Sequence, residues 1–133
     1  MTALATKEMK MEFDKLSNQV IGYAIEVHRT WGPGLLESTY EQCLAYELGH
    51  AGIRFQLQQA LPVHYKGLRL DCGYRVDVLV EDALILELKS VESILGIHEA
   101  QLLTYMKLAN IKTGLLINFN VQQLKAGIKR FVL

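Results

Sequence analysis

Apolar residues recur at helical spacing in the first third of the chain, after a polar N-terminal segment. A helix-capping residue, Ser17 or Asn18, precedes them, and the punctuation Gly-Pro-Gly at 32–34 follows them. The pattern predicts a first helix that ends at this punctuation and a second helix from Leu35 to about Gly49. The repeating apolar positions of the first helix are Val20, Ile21, Ala24, Val27 and Trp31.

Alternation of apolar and polar residues predicts strands in the middle of the chain. The first predicted strand runs from Phe55 to Tyr65, and the Lys-Gly pair at 66–67 supplies a tight hairpin turn. The second strand continues from Leu68 and is expected to bend at Gly73, because a glycine inside a strand often marks a bulge.

The remaining elements are predicted as a strand, a helix, a strand and a final helix. They are ALILELK at 83–89, a helix over 97–109, TGLLINF at 113–119 and VQQLKAGIKR at 121–130. This order predicts an α/β (α+β) fold with a four-stranded mixed sheet and helices on both faces. The length suits a single domain over 1–133, in which residues 1–16 form an N-terminal extension.

Three of the charged residues in a largely apolar hairpin stand out. In YRVDVLVEDALILELKSV, residues 74–91, they are Asp77, Glu87 and Lys89. Because side chains alternate along a strand, Glu87 and Lys89 share a face. Charges on a covered sheet face are costly unless they are paired, so the turn between the two strands decides how these three side chains meet.

A three-residue loop at 81–83 would pair Val80 with Leu84 and place Asp77 opposite Glu87. A two-residue turn would put charges on both faces, so we predict the three-residue loop. The charged face then carries Arg75, Asp77, Glu87 and Lys89, and the apolar face carries Val76, Val78, Val80, Leu84, Leu86 and Leu88.

Two facing carboxylates repel each other unless a cation lies between them, and hard oxygen ligands suit Mg²⁺ or Mn²⁺. A lysine two residues beyond one carboxylate can stabilise the charge that grows on a phosphate. Asp77, Glu87 and Lys89 together therefore indicate metal-assisted hydrolysis. The alternative is an exposed edge with solvated charges and an ordinary ion pair.

Composition narrows the class of partner and the compartment. Basic and acidic residues balance at 14 each, so attraction to a nucleic acid must come from a local patch. The candidates are Lys66, Arg69 and Arg75, and, on the last predicted helix, Lys125, Lys129 and Arg130. Cys43 and Cys72 are expected to be free core thiols. With no signal peptide and no membrane span, a cytoplasmic location is expected.

Several motifs resemble those of the GxxExxY protein family. The string GLLESTY at 34–40 matches its signature, and Asp77, ELK at 87–89 and HEAQLLTY at 98–105 follow in the same order. The resemblance covers roughly residues 17–131. That family is placed in the PD-(D/E)XK nuclease superfamily, so the resemblance implies a restriction-endonuclease-like αβββαβ core.

The resemblance also implies roles for individual residues. Asp77 and Glu87 become metal ligands, with the main-chain carbonyl of Leu88 as a further ligand, and Lys89 becomes the catalytic lysine. Glu37 resembles the acidic residue that the first core helix often adds to the metal site. A first-turn glutamate that is merely exposed, and stabilised by the helix dipole, is the structural alternative for Glu37.

The helix after the third strand places three polar residues on one face. His98, Gln101 and Tyr105 stand at i, i+3 and i+7. Gln101 and Tyr105 resemble the Gln-x-x-x-Tyr element that some superfamily branches place beside the active site. Gln101 could hydrogen-bond Glu87, Lys89 or a substrate phosphate, or it could bond a buried backbone carbonyl. His98 could assist protonation of a leaving group or belong only to the first helical turn. Tyr40 is expected to pack, with its hydroxyl bonded to a neighbour.

The leading prediction is a Mg²⁺- or Mn²⁺-dependent nuclease acting on DNA or RNA, although Val76 stands where the superfamily's name-giving proline would precede Asp77. The short chain suggests a homodimer or a partner subunit. One alternative is a nuclease-fold binding or regulatory module without turnover. Another is hydrolysis of a small phosphoester, which predicts a closed pocket.

Overall fold

The computed structural model describes the backbone of residues 3–133 and the side chains of residues 15–133. Three helices precede or connect the strands, and a short 3-10 helix, Leu124–Gly127, precedes the last strand. The helices are α1 Ala3–Trp31, α2 Glu37–His50 and α3 Gly96–Ala109. The strands are β1 Phe55–Tyr65, β2 Leu68–Val80, β3 Leu84–Lys89, β4 Thr113–Asn118 and β5 Ile128–Val132.

The strands form one five-stranded sheet in the order β1-β2-β3-β4-β5. Only β3 and β4 pair in parallel, because the chain crosses over between them through α3; the other pairs are antiparallel. One apolar cluster joins α1 and α2 to the sheet, and a second joins α3 to its opposite face. The predicted α/β class, mixed sheet and helices on both faces are confirmed.

The predicted final helix at 121–130 and the four-stranded sheet are wrong. A 3-10 turn and β5 occupy this segment, and β5 pairs with β4 from Thr113↔Val132 to Ile117↔Ile128. Ile128 packs against one apolar cluster and Phe131 against the other, as alternation along a strand allows. A fifth strand also satisfies the outer edge of the fully buried β4, whose backbone groups would otherwise lack partners.

The first helix is longer at its start than the sequence pattern predicted. It begins at Ala3, so Ser17 lies inside the helix and does not cap it; its buried hydroxyl has no hydrogen-bond partner among the residues whose side chains are described. The segment 3–16 is rich in Ala, Lys, Glu and Met, which favour helix, and this explains the extension. Of the proposed N-terminal extension, residues 1 and 2 lie outside the described part.

The hairpin predictions are largely confirmed. Lys66 and Gly67 both have positive φ, as a two-residue hairpin turn requires. Gly73 has φ 80°, and the β1–β2 register shifts between Leu61 and Val63, which is the predicted bend. Val80 pairs with Leu84 around the three-residue loop. The prediction of core thiols is wrong for Cys72, which is exposed on this hairpin, while Cys43 is half-buried.

The β1–β2 ladder is interrupted where Gln58 faces Asp77, although the register is the same on both sides. On β1, Leu57 packs against the α1/α2 cluster but Leu61 belongs to the α3 cluster. On β2, Val78 belongs to the α1/α2 cluster and Val76 to the α3 cluster. In a regular strand, residues an even number of positions apart share a face. Both strands therefore turn over at the pair Gln58 and Asp77, so that side chains before and after this pair exchange faces of the sheet. The prediction that Val76 shares a face with Val78 and Val80 is therefore wrong.

Among the described residues, no helix combines the length and the apolar character that crossing a membrane requires.

Gly127 is expected to tolerate no side chain, because a Cβ there would lie 2.1 Å from the backbone oxygen of Asn118. Gly127→Ala should lower the free energy of unfolding by about 3 kcal/mol and the melting temperature by roughly 10 °C. The matched control is Gly22→Ala on α1, where an added Cβ would meet no described atom within 4 Å apart from the neighbouring backbone of its own helix; it should leave stability equal or slightly higher. Thermal denaturation of both variants decides, and equal melting temperatures would refute the close approach.

Candidate active site

The backbone pairing of β2 and β3 stops at Asp77 and Glu87. There, backbone amides donate to side-chain carboxyl oxygens and not to the carbonyls of the neighbouring strand. The regular ladder ends at Val78↔Leu86. Beyond it, the Asp77 amide donates to Glu87 Oε1 over 3.4 Å, and the Leu88 amide donates to Asp77 Oδ2 over 2.8 Å. The two acidic residues that the sequence places on separate strands are thus held together.

Glu87 is buried, with only 4% of its surface exposed. Burial and the neighbouring Asp77 raise its pKa to about 8, Lys89 and the Asp77 amide lower it, and Glu37 adds a smaller upward effect. Without a bound cation, Glu87 therefore carries a proton through most of the neutral range. A buried carboxyl group of this kind is typical of a functional site.

Lys89 follows Glu87 by two residues on β3 and is half-buried. Its positive charge favours the ionised form of Glu87. Within the part of the chain whose side chains are described, Lys89 makes no hydrogen bond or ion pair through its ammonium group. The group is therefore available to a ligand beside the two carboxylates.

Two further polar residues, Glu41 and Gln58, join the site and were missed by the sequence analysis. The Gln58 amide donates to Glu41 Oε1 over 2.6 Å and to Asp77 Oδ1 over 3.3 Å. Burial, and to a lesser extent the charge of Asp77, raises the pKa of Glu41, while the Gln58 hydrogen bond lowers it. The available signal was the spacing of Glu41, one helical turn after Glu37 on the same helix face.

Glu37 lies at the rim of the site. Its Oε2 accepts a hydrogen bond of 3.4 Å from the amide of Ser90, the residue that follows β3. Its negative charge contributes to the raised pKa of Glu87. It is exposed in the first turn of α2. A depression of about 220 Å³ brings it together with Ser38, Glu41, Gln58, Asp77 and Leu88. Glu41 lies deeper than Glu37 on the same helix.

On α3, Tyr105 is buried near the carboxylates. Burial and the charge of Glu87 raise its pKa, with Asp77 adding to the shift. The Gln101 amide donates to the Tyr105 hydroxyl over 2.9 Å. The Gln-x-x-x-Tyr element therefore forms one hydrogen-bonded unit, with the Tyr105 ring 6.1 Å from that of Tyr74.

His98 and Tyr40 have structural contacts. His98 Nδ1 accepts a hydrogen bond of 3.0 Å from the Leu95 amide at the start of α3, so it belongs to the first helical turn. The Tyr40 hydroxyl donates to the Gly32 carbonyl, and its ring stacks on Phe119 at 4.3 Å. The packing role expected for Tyr40 agrees with these contacts.

Comparison with protein families shows to which superfamily the chain belongs. A family model described as the PD-(D/E)XK nuclease superfamily matches residues 14–131. The chain belongs to the PD-(D/E)XK nuclease superfamily. A search of curated proteins and a search of solved structures each gave no significant match.

Members of this superfamily typically depend on a metal ion. Within the described side chains, no three His, Cys, Asp or Glu residues form a ready-made cluster that could hold a metal. Asp77 and Glu87 nevertheless supply two adjacent carboxylates. The Leu88 amide points to Asp77, and in a strand the carbonyl of the same residue faces the same side. This all-oxygen set suits a hard divalent cation.

The raised pKa of Glu87 predicts a dependence of stability on pH in metal-free protein. Between about pH 5 and 8 the folded state binds a proton that the unfolded state has released, so the free energy of unfolding should fall as pH rises. The contribution is on the order of 1 kcal/mol per pH unit. Chemical denaturation with a chelator present, at several pH values, measures it.

Glu87→Gln keeps the shape of the side chain and removes its titration, so its stability should change less over this range than that of the wild type. Glu92→Gln, at an exposed position after β3, is the control and should retain the wild-type slope. A Glu87→Gln profile parallel to the wild-type profile would exclude a proton held on Glu87.

Proposed function

We propose that this chain is a Mg²⁺- or Mn²⁺-dependent nuclease that hydrolyses phosphodiester bonds in DNA or RNA, within the GxxExxY branch of the superfamily. The observation that carries the proposal is the meeting of Asp77 and Glu87 through crossed hydrogen bonds, with Lys89 on the same strand. Superfamily membership supports the same chemistry.

Asp77, Glu87 and the main-chain carbonyl of Leu88 would hold the cation. When bound, a divalent cation supplies Lewis-acid polarisation of a phosphoryl oxygen. Glu87 would act as a ligand in its ionised form, so the proton that it holds in the metal-free protein would be given up to solvent. Lys89 stabilises the negative charge that develops on the scissile phosphate. Tyr105, with its hydroxyl held by Gln101, orients substrate beside Glu87.

A hairpin arm, residues 62–75, supplies the proposed contact with nucleic acid. It carries exposed side chains of Tyr65, Leu68 and Tyr74. Lys66 lies over the Tyr65 ring at 5.4 Å. Of the other basic groups, Arg69 pairs with the arm's one acidic residue, Asp71, and Arg75 is exposed. Tyr74 connects the arm to the site through its contact with Tyr105. A basic two-stranded ribbon has the size and charge to lie along a nucleic-acid groove.

A catalytic test compares Lys89→Ala with the wild type. In Mn²⁺ or Mg²⁺, cleavage of plasmid and oligonucleotide substrates should fall by about 100-fold or more, because the charge that stabilises the reacting phosphate is lost. Lys112→Ala, at an exposed position before β4, is the matched charge control and should cleave normally. Equal cleavage by wild type and Lys89→Ala would exclude this mechanism.

The binding test uses the double variant Lys66→Ala/Arg75→Ala. Fluorescence anisotropy with a labelled duplex should show weaker binding, and the slope of log affinity against log salt should decrease by about 2. Lys112→Ala again serves as the charge control. An unchanged slope would place the phosphate contacts elsewhere, with Lys125, Lys129 and Arg130 as the next surface to test.

A nuclease-fold binding module without turnover is the second candidate. The absence of a three-residue ligand cluster among the described side chains favours it. It predicts partner binding that survives Asp77→Ala and does not need a metal. The small-phosphoester alternative has less support, because the depression at Asp77 is bordered by exposed Glu37, Ser38 and Gln58 and is not closed.

Assembly and location belong to the same proposal. The exposed apolar side chains of the arm suit a second copy or a partner subunit as well as nucleic acid, and light scattering of the purified protein distinguishes monomer from dimer. A cytoplasmic location remains the prediction from the sequence.

A further inference from the structure

Gln58 has an unusual backbone for its position. Five described residues other than glycine have positive φ. Lys66, Glu81 and Asp82 lie in turns, and Asn110 caps α3, where this conformation is common. Gln58, with φ 52°, lies inside β1. A left-handed residue other than glycine costs free energy and persists where the surrounding structure requires it, most often at a functional site.

The left-handed backbone redirects the Gln58 side chain. Leu57 packs on the α1/α2 side of the sheet, so a regular strand would turn Gln58 to the opposite side, towards α3. Its amide instead contacts Glu41 on α2. The turn-over of β1 at Gln58 and of β2 at Asp77 brings these facing residues into hydrogen-bond contact.

The two N–H groups of one amide serve two carboxylates. Gln58 Nε2 lies 2.6 Å from Glu41 Oε1 and 3.3 Å from Asp77 Oδ1. Asp77 Oδ2 accepts from the Leu88 amide, so both oxygens of Asp77 are fixed. A lysine here would neutralise the carboxylates and compete with a cation, a glutamate would add repulsion, and a hydroxyl has only one donor. A neutral group with two donors is what this position needs.

We propose that Gln58 is a positioning residue: its strained backbone is retained so that one amide holds Asp77 in place for cation binding and keeps Glu41 beside it. The inference rests on the proposed function, since it concerns the same cation. Gln58 does not itself coordinate the cation. Together with Glu41 it supports Asp77, which does. Such supporting contacts typically contribute 10- to 100-fold to metal affinity.

The decisive variant is Gln58→Gly, because glycine accepts the left-handed backbone without strain but has no amide side chain. Its melting temperature without metal should be equal to or about 3 °C above that of the wild type. Its affinity for Mn²⁺, measured by calorimetry, should fall by about tenfold or more. Loss of affinity without loss of stability separates positioning from a simple structural role.

Asp82→Gly is the matched control, since Asp82 is also left-handed, with φ 50°, but is exposed in the 81–83 turn away from the carboxylates. It should show the same relief of strain and unchanged Mn²⁺ affinity. Gln58→Asn provides a second variant, because asparagine tolerates the left-handed region but its shorter side chain cannot bridge both carboxylates. It should fold normally and also bind Mn²⁺ weakly.

The outcomes separate this inference from the proposed function. If the wild type binds Mn²⁺ and both Gln58 variants bind it equally well, the positioning role is refuted and the function stands. A melting temperature of Gln58→Gly well below that of the wild type would contradict the claim that the left-handed backbone of Gln58 is strained. Failure of the wild type itself to bind Mn²⁺ would remove the proposed function, and the positioning role with it.

Discussion

The structure depends on two carboxyl groups brought side by side, that of Glu87 buried and that of Asp77 half-buried. Asp77 and Glu87 sit where β2 and β3 stop pairing, and each takes a backbone amide that a regular ladder would give to a carbonyl. Burial of such a pair is unfavourable for two ionised groups, and the raised pKa of Glu87 is the consequence. In the metal-free protein a proton reduces the repulsion, and a divalent cation can take over that role.

The rest of the fold places groups around this pair. The sheet supplies Lys89 and the Leu88 backbone, α2 supplies Glu41 at depth and Glu37 at the rim, and α3 contributes Tyr105 from the other side. The turn-over of β1 and β2 at one facing pair lets the sheet keep an apolar core on both faces while it directs polar groups into the same region. Local departure from regular strand geometry is therefore tied to the chemistry of the site.

Much of this arrangement could be read from the sequence because it depends on period and turn chemistry. The three-residue loop pairs Val80 with Leu84 and so places Asp77 near Glu87, and motif order indicated the superfamily. The prediction of a final helix was wrong because VQQLKAGIKR has a helix-like pattern, whereas pairing with the open edge of β4 favours a strand. Tertiary pairing here outweighs local propensity.

The supporting residues could not be predicted because they depend on geometry that no periodic pattern encodes. A regular strand would have placed Gln58 away from α2, and only its left-handed backbone brings it to Glu41. Val76 changed faces for the same reason. Glu41 was overlooked because the motif ends at Tyr40, one residue earlier.

The most direct measurement is an anomalous difference map from a crystal grown with Mn²⁺. The account predicts a single strong peak within coordination distance of both the Asp77 and the Glu87 carboxylates, and loss of that peak when Asp77 is replaced by alanine. A map with no density between these carboxylates at millimolar Mn²⁺, or with the ion bound elsewhere, would contradict it.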